Sequence, residues 1–263
     1  MALQFTDNST DEVAISSNAT TDDLDRWTYI LVLNVTATTA SFARIFSKAG
    51  ASSGHRNMFI HPSGLFLRVN QSGGQTNYSV ADFLEGNGWT FMALTYDNAV
   101  TPRHTGWYGR LTDSKLTKIA WTENDGSGSV VSEAGDPLNL GEYPGSGSCC
   151  GMDMSDFAAW NRVLTETEIA EQFHVGPHPT YGSVTCLRLG SLGSADAVQY
   201  DHSMAFNDGV PTGLAVVDDP RRVQVWRRNI DSTFDDIRFP AAVAPAGNAM
   251  PMAMDHYRRR RAG

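Results

Sequence analysis

The chain has 263 residues, of which 41% are apolar, 10% aromatic and 19% charged, with 24 glycines. A chain of that length buries roughly 70 to 75% of the surface it exposes when unfolded, and its composition excludes a disordered or disulfide-dependent protein. The net charge of -9 is unevenly spread: nine arginines and four aspartates from Arg221 to Gly263 give +5, while residues 1–220 carry 11 basic and 25 acidic groups, a net -14. Nucleic acid is therefore not expected on the body, because phosphate contacts need clustered Lys and Arg.

In chain order, short runs alternate apolar and polar residues with the period of two that marks half-buried strands. These are LQFT (Leu3 to Thr6), DEVAIS (Asp11 to Ser16), WTYILVLNVT (Trp27 to Thr36) and ARIFSKA (Ala43 to Ala49). RNMFIHPSGLFLRVN (Arg56 to Asn70) reads as a hairpin turning at HPSG, where Gly64 supplies a positive φ that a residue with a Cβ resists. WTFMALTYD (Trp89 to Asp97) is a further strand, and GWYGRLTDSKLTKIAWT (Gly106 to Thr122) a further hairpin. The Gly-, Ser-, Asp- and Pro-rich segment that follows is a set of loops with one short strand at Leu138 to Leu140.

Met154 to Trp160 then fits a strand with one buried face. Thr165 stands at an N-cap with Glu168 three residues on, a capping box, and Leu164 with Ile169 suits a hydrophobic staple. GSVTCLRLGS (Gly182 to Ser191) is a late strand. Cys149 and Cys150 are adjacent and Cys186 is alone; without Cys-x-x-Cys spacing they read as free thiols.

The Trp-led strand, the GWYGRL hairpin and the closing SDFAAWNRVLTETEI together resemble the laminin-G-like members of the concanavalin A-like lectin and glucanase superfamily. Trp89, Ala93, Tyr96 and Asp97, then Asp156, Trp160, Asn161, Arg162, Leu164, Thr165, Glu168 and Ile169 match, whereas the hairpin lacks the usual Asn before Gly109. The likeness covers roughly Met1 to Ser191. It implies an all-β, two-sheet antiparallel jelly-roll sandwich with one short helix, which the alternation also suggests. Asn161, Arg162 and Glu168 are expected to be architectural.

A glucanase of that superfamily would present two carboxylates about 5 to 5.5 Å apart, commonly from alternate positions of one strand. No E-x-D-x-E run occurs, and Asp153 and Asp156, three apart, are expected on opposite faces. G-x-S-x-G, P-loop and H-E-x-x-H motifs are also lacking, so no enzyme is expected. The resemblance implies instead loops at the sandwich rim that hold sugars or protein partners, in some relatives with calcium. Asp97, Asp125, Asp136 and Asp153 are the candidate calcium ligands, joined on the rim by Asn98 and Asn124, although no spacing forms a compact ligand loop. Trp107, Tyr108, Trp121 and Tyr143 are candidate stacking platforms for a glycan. No other cofactor is expected, and His55, His61, His104, His174 and His178 are scattered in expected loops, with surface or hydrogen-bonded roles.

The expected organisation is a sandwich over 1–205, closing strands or a linker over 206–239, including Asp208 to Pro220 and Arg221 to Ile230, and an extended arm over 240–263. The arm is rich in Pro, Ala and Met and cannot build its own core; Met250, Met252, Met254, Tyr257, Arg258, Arg259, Arg260 and Arg261 would serve assembly. A sandwich with such an arm resembles phage-borne laminin-G-like proteins. That implies a virion structural protein, a capsid decoration or stabilising subunit attached to other virion proteins, homo-oligomeric, with glycan adhesion as a second role. The alternative is a carbohydrate-binding, lectin-like module not tied to a virion. No membrane span or signal peptide is read, so a virion protein made in the host cytoplasm is the expectation.

Overall fold

The computed structural model describes residues 2–38, 42–50, 53–124, 126–142, 147–190, 197–203 and 205–217. The chain divides into two units, Met1–Arg222 and Val223–Gly263. The second unit, with the expected arm residues, lies outside the described residues, as do Asp125 and Tyr143.

Strands in chain order are β1 (Ala2–Phe5), β2 (Glu12–Ile15), β3 (Arg26–Ala37), β4 (Ala43–Gly50), β5 (Ser53–His61), β6 (Gly64–Gln71), β7 (Gly74–Val80) and β8 (Thr90–Asp97). They continue as β9 (His104–Arg110), β10 (Thr117–Lys118), β11 (Thr122–Asn124), β12 (Leu138–Gly141) and β13 (Gly151–Trp160). Helix α1 (Glu166–Val175) follows, then β14 (Ser183–Arg188), β15 (Gly209–Thr212) and β16 (Ala215–Val217). The first sheet runs β10-β9-β8-β3-β13-β1-β16 and the second β11-β7-β6-β5-β4-β12-β2-β15. On one edge of β13, β1 covers Met152 to Met154 and β14 covers Asp156 to Trp160. The architecture is the expected two-sheet antiparallel sandwich with one short helix.

Alternation explains the inner core. Tyr29, Leu31, Leu33 and Val35 of β3 meet Leu65, Leu67 and Val69 of β6 in one buried cluster between the sheets. The other face of β3 is also apolar, because Ile30 and Val32 belong to a second cluster under α1 with Phe91, Trp107, Trp160, Leu164, Ile169 and Phe173. A strand buried on both faces reads as a continuous apolar run, which is what YILVL is. The helix starts where its capping box requires: Glu168 N–H donates to Thr165 Oγ1 at 3.3 Å and Thr165 N–H donates to Glu168 Oε2 at 2.8 Å. Gly64 has φ 139, and a Cβ there would meet Val80 O at 2.3 Å.

Several elements differ from the sequence reading. β7 was not anticipated, because GQTNYSV turns only Thr76 and Tyr78 fully into the core and offers polar residues elsewhere. The Gly106 to Thr122 hairpin closes through β9 and β10, with Tyr108 opposite Thr117 and Trp107 opposite Lys118, but its last residue, Thr122, opens β11, which joins β7 in the second sheet. β13 begins at Gly151 and carries a bulge between Met154 and Asp156. Asp208 to Pro220 yields the two short strands β15 and β16, while Arg221 to Ile230 lies outside the described residues. Among the described residues no helix is long and apolar enough to cross a membrane.

Candidate functional site

The residues singled out from sequence do not converge. Trp107 and Tyr108 are consecutive on β9 and so face opposite sides of its sheet. Trp107 is 8% exposed in the cluster beneath α1, whereas Tyr108 packs on Phe83 with ring centroids 4.2 Å apart. Trp121 is partly buried, edge-on to Tyr78 at 6.3 Å, and closes over Gly106, where a Cβ would lie 3.0 Å from its Nε1. Asp97 pairs with Arg26 at 3.1 Å, while Asp153 accepts from Asn34 Nδ2 at 3.2 Å. Their partners on β3 are eight residues apart, about 25 Å at the strand rise. Asp136 accepts a bond from Lys48 on its backbone carbonyl. These three aspartates do not fit one calcium ion, and among the described residues no three His, Cys, Asp or Glu side chains gather as a metal site.

The bulge on β13 corrects one sequence inference. Asp153 pairs with Asn34 and Asp156 with Val32, two positions apart on β3, because Ser155 is the extra residue. Asp153 and Asp156 therefore share the outer face of the first sheet instead of lying on opposite faces. They are not presented alike: Asp156 is 4% exposed and accepts the Ser155 hydroxyl at 2.7 Å, whereas Asp153 is half-buried. Burial raises the Asp153 pKa, outweighing bonds from Asn34 and Gln4.

What the fold does assemble is an open cleft of about 540 Å³ where β3 begins and β8 ends, lined by residues 23–26, residues 97–99 and Asn161. Its first wall, the loop before β3, is pinned by charges drawn into the protein. Lys48, fully buried, donates to Asp22 Oδ1 at 2.6 Å. Arg56, 1% exposed, donates to the Glu133 carboxylate and to Thr21 O at 3.2 Å, with its guanidinium 5.4 Å from the Trp27 ring and 5.2 Å from Tyr29. Glu133 N–H and the Ser132 hydroxyl in turn donate to Asp23, at 2.7 and 3.0 Å. Burial lowers the pKa of both Lys48 and Arg56; burial alone would raise that of Asp22, but bonds from Lys48 and Ser17 leave it below the usual carboxylate value.

The second wall is the turn after β8. Asn98 Oδ1 accepts from Tyr96 OH at 3.0 Å and from Gln71 Nε2 at 2.9 Å, so its oxygen is committed to the protein, while its amide N–H₂ makes only long contacts, to Asp25 at 3.4 Å and to Gly128 O at 3.5 Å. Behind it lies His104, buried between Trp27, Tyr78 and Tyr96 and donating from Nδ1 to Thr95 O at 2.9 Å. Burial pulls its pKa down to about 3, so the ring is neutral.

The third wall comes from the closing motif. Asn161 N–H donates to Gly182 O at 3.1 Å. Arg162 grips Glu168 with two bonds, 3.1 and 2.6 Å, and donates to Tyr181 O at 2.9 Å, while its own carbonyl accepts from Thr28 Oγ1. The motif residues are thus architectural, and their effect is to hold Asn161 and the loop bearing Tyr181, which is 90% exposed. The cleft combines carboxylates at Asp25 and Asp97 with donors at Asn98 and Arg26, the last paired with Asp97, and Tyr181 lies exposed on the loop bonded to Asn161 and Arg162. Asp97 and Asn98 were legible as rim groups; Asp23, Asp25 and Arg26 were missed, although an acid-rich DDLDR run leading straight into a strand was the available signal. The three thiols are buried and free, with burial raising each pKa, that of Cys186 to about 12, so none is reactive.

A family model described as the concanavalin A-like lectin/glucanases superfamily, laminin-G-like in type, matches residues 7–170. A search of curated proteins found no match. Among solved structures, the chain is similar to a candidate carbohydrate-binding protein from Bacteroides ovatus, at 18% identity and a TM-score of 0.56 over 81% of this chain and 58% of that one. It is also similar to the heptameric SAP-like pentraxin of Limulus polyphemus, at 12% identity and a TM-score of 0.44 over 66% of this chain and 82% of that one. Domains LG4-5 of the mouse laminin α1 chain match at 12% identity and a TM-score of 0.43, over 63% and 43% of the respective chains. This chain therefore spans just over half of the Bacteroides protein, with which it shares a fold. The matched residues take in strands of both sheets, the β13 motif and the capping box of α1, so the chain belongs to the concanavalin A-like lectin/glucanases superfamily.

Proposed function

We propose that the chain is a non-catalytic carbohydrate-binding module whose ligand occupies the cleft at the start of β3. The observation that carries this reading is the meeting, in one open cleft, of Asp25 and Asp97 as acceptors with Asn98 and Arg26 as donors. Sugar hydroxyls donate and accept at once, so they need both kinds of group at fixed positions, and the exposed Tyr181, on the loop bonded to Arg162, offers an apolar face to stack on. The description of the Bacteroides ovatus protein as a candidate carbohydrate binder supports the same reading. Binding without hydrolysis is favoured because Asp156, the partner of Asp153 on its face, is 4% exposed. Attachment to a virion through the arm, the other expectation from sequence, draws no support from the described residues.

The test is a glycan array on the full chain, followed by titration of the hits. Asp25→Ala and Tyr181→Ala change exposed side chains and should leave the fold intact while weakening binding about tenfold each, the size of one lost charge-assisted hydrogen bond or ring contact. An array without hits, or hits indifferent to both substitutions, would remove the reading.

A further inference from the structure

We propose that the opposite end of the sandwich holds a second pyranose site, flanked by Phe42, which makes a single chain bivalent; this rests on the carbohydrate-binding reading above. Arg26 opens β3 and lines the first cleft, while Thr38, just past its end, lines another of about 280 Å³ together with residues 60–64, 81–82 and Glu85. Twelve strand residues separate the two clefts by about 40 Å. One ligand cannot bridge them as a single short sugar, so they are independent sites.

Phe42 flanks the second cleft through its contact with His61. It is 43% exposed yet has φ 118, a backbone region that residues with a Cβ rarely adopt. Its ring lies 5.0 Å from that of His61, which lines the cleft, and 5.4 Å from Phe59, itself stacked on Phe66 at 5.3 Å with planes 4° apart. Aromatic contacts thus hold a strained, partly water-facing ring against His61 of the cleft lining, although the backbone angle there favours glycine.

The polar groups suit the same ligand. Ser63 N–H donates to His61 Nδ1 at 3.2 Å, so Nδ1 accepts and Nε2 is the ring nitrogen that carries a proton to donate. Glu85 accepts the Thr38 hydroxyl, and Asp82 Oδ1 accepts Leu84 N–H at 2.9 Å, with both acids exposed. A pyranose offers axial C–H groups to an aromatic face and equatorial hydroxyls to carboxylates and imidazole, so a cleft lined by His61, Asp82 and Glu85 with the Phe42 ring against His61 supplies a partner for each half of one sugar. A methylated ammonium ion is the competing chemistry for aromatic rings beside carboxylates. It is less favoured because the Arg44 guanidinium stands 5.7 Å from the Phe42 ring and 4.5 Å from Phe59.

The experiment is protein-observed NMR of the ¹⁵N-labelled full chain, titrated separately with the methyl glycosides of β-galactose, β-glucose and α-mannose and with tetramethylammonium. The expected result is saturable shifts of the Ser63, Gly64, Asp82 and Glu85 amides with at least one sugar, weakened tenfold or more by Phe42→Ala and unchanged by Asp25→Ala. Phe42→Gly, which relieves the positive φ and so keeps or raises the melting temperature, should lose the site equally. Shifts confined to the Asp25 and Asn98 cleft would overturn the second site and leave the first standing. Shifts at Ser63 to Glu85 that survive both Phe42 variants, or that appear with tetramethylammonium alone, would also overturn it. Silence at both clefts with every sugar would overturn both readings.

Discussion

Glu133→Gln should separate the stability of the sandwich from the placement of its cleft. Glu133 and Arg56 are each 1% exposed, so removing the carboxylate leaves a guanidinium inside the protein without its bonded counter-charge, with only the more distant Asp22 and Asp23 acting on it. Breaking such a pair from one side typically costs about 3 to 5 kcal/mol. The guanidinium would keep its bond to Thr21 O and its position over Trp27 and Tyr29, which puts the loss at the lower end, about 3 kcal/mol. For a domain of this size that is a fall in melting temperature of roughly 6 to 12 °C. Arg56→Met with Glu133→Leu removes both charges together and should recover stability to within about 1 kcal/mol of the parent. The same double variant deletes the bond that ties Arg56 to the loop before β3, so glycan binding in the first cleft should fall even though the fold is restored. Urea unfolding gives the stability and titration of an array hit gives the binding. A loss below about 1 kcal/mol in Glu133→Gln, or a double variant as unstable as the single one, would refute the argument that uncompensated charge governs this corner.

Two further outcomes follow from the closing motif and the second core. Arg162 and the capping bonds hold Glu168 at a pKa of about 2 against a reference of 4.5, so its contribution is fully present above pH 4.5 and is lost as pH falls from there towards 2. Arg162→Ala should flatten that acid limb of stability by about 1 to 2 kcal/mol, the reduced figure reflecting partial exposure of both side chains; an unchanged limb in pH-dependent melts would count against the assignment. Trp107→Ala should cost about 3 kcal/mol by guanidinium unfolding, the lower part of the range for a buried tryptophan, because the buried indole N–H lacks a partner and its removal relieves part of the loss. A change within about 0.5 kcal/mol would instead be that of a surface residue.

Much of the architecture was legible because it is written in local contacts. A capping box joins residues three apart, a turn glycine is needed where the chain reverses, and alternation records which face of a strand is buried; Thr165 with Glu168, Gly64 and β3 were therefore readable directly. The strands β7 and β11 escaped because their outward residues are polar and their membership of the second sheet depends on partners remote in sequence. The site was legible only in fragments. Asp97 and Asn98 stood out as polar residues ending a strand, but the loop at Asp23 to Arg26 reaches them only through the pairing of β3 with β8. Exposure of aromatic residues was likewise invisible: Trp107 is covered because α1 folds back over the first sheet, while Phe42 is held in water by a backbone angle that no residue type announces. The faces of Asp153 and Asp156 turn on one extra residue, Ser155, in the pairing with β3. The linear chain determines the helix cap, the turn glycine and the burial pattern of the strongly apolar strands; the polar strands, register, bulges and the meeting of distant loops were decided by tertiary structure, because each depends on which strands lie side by side.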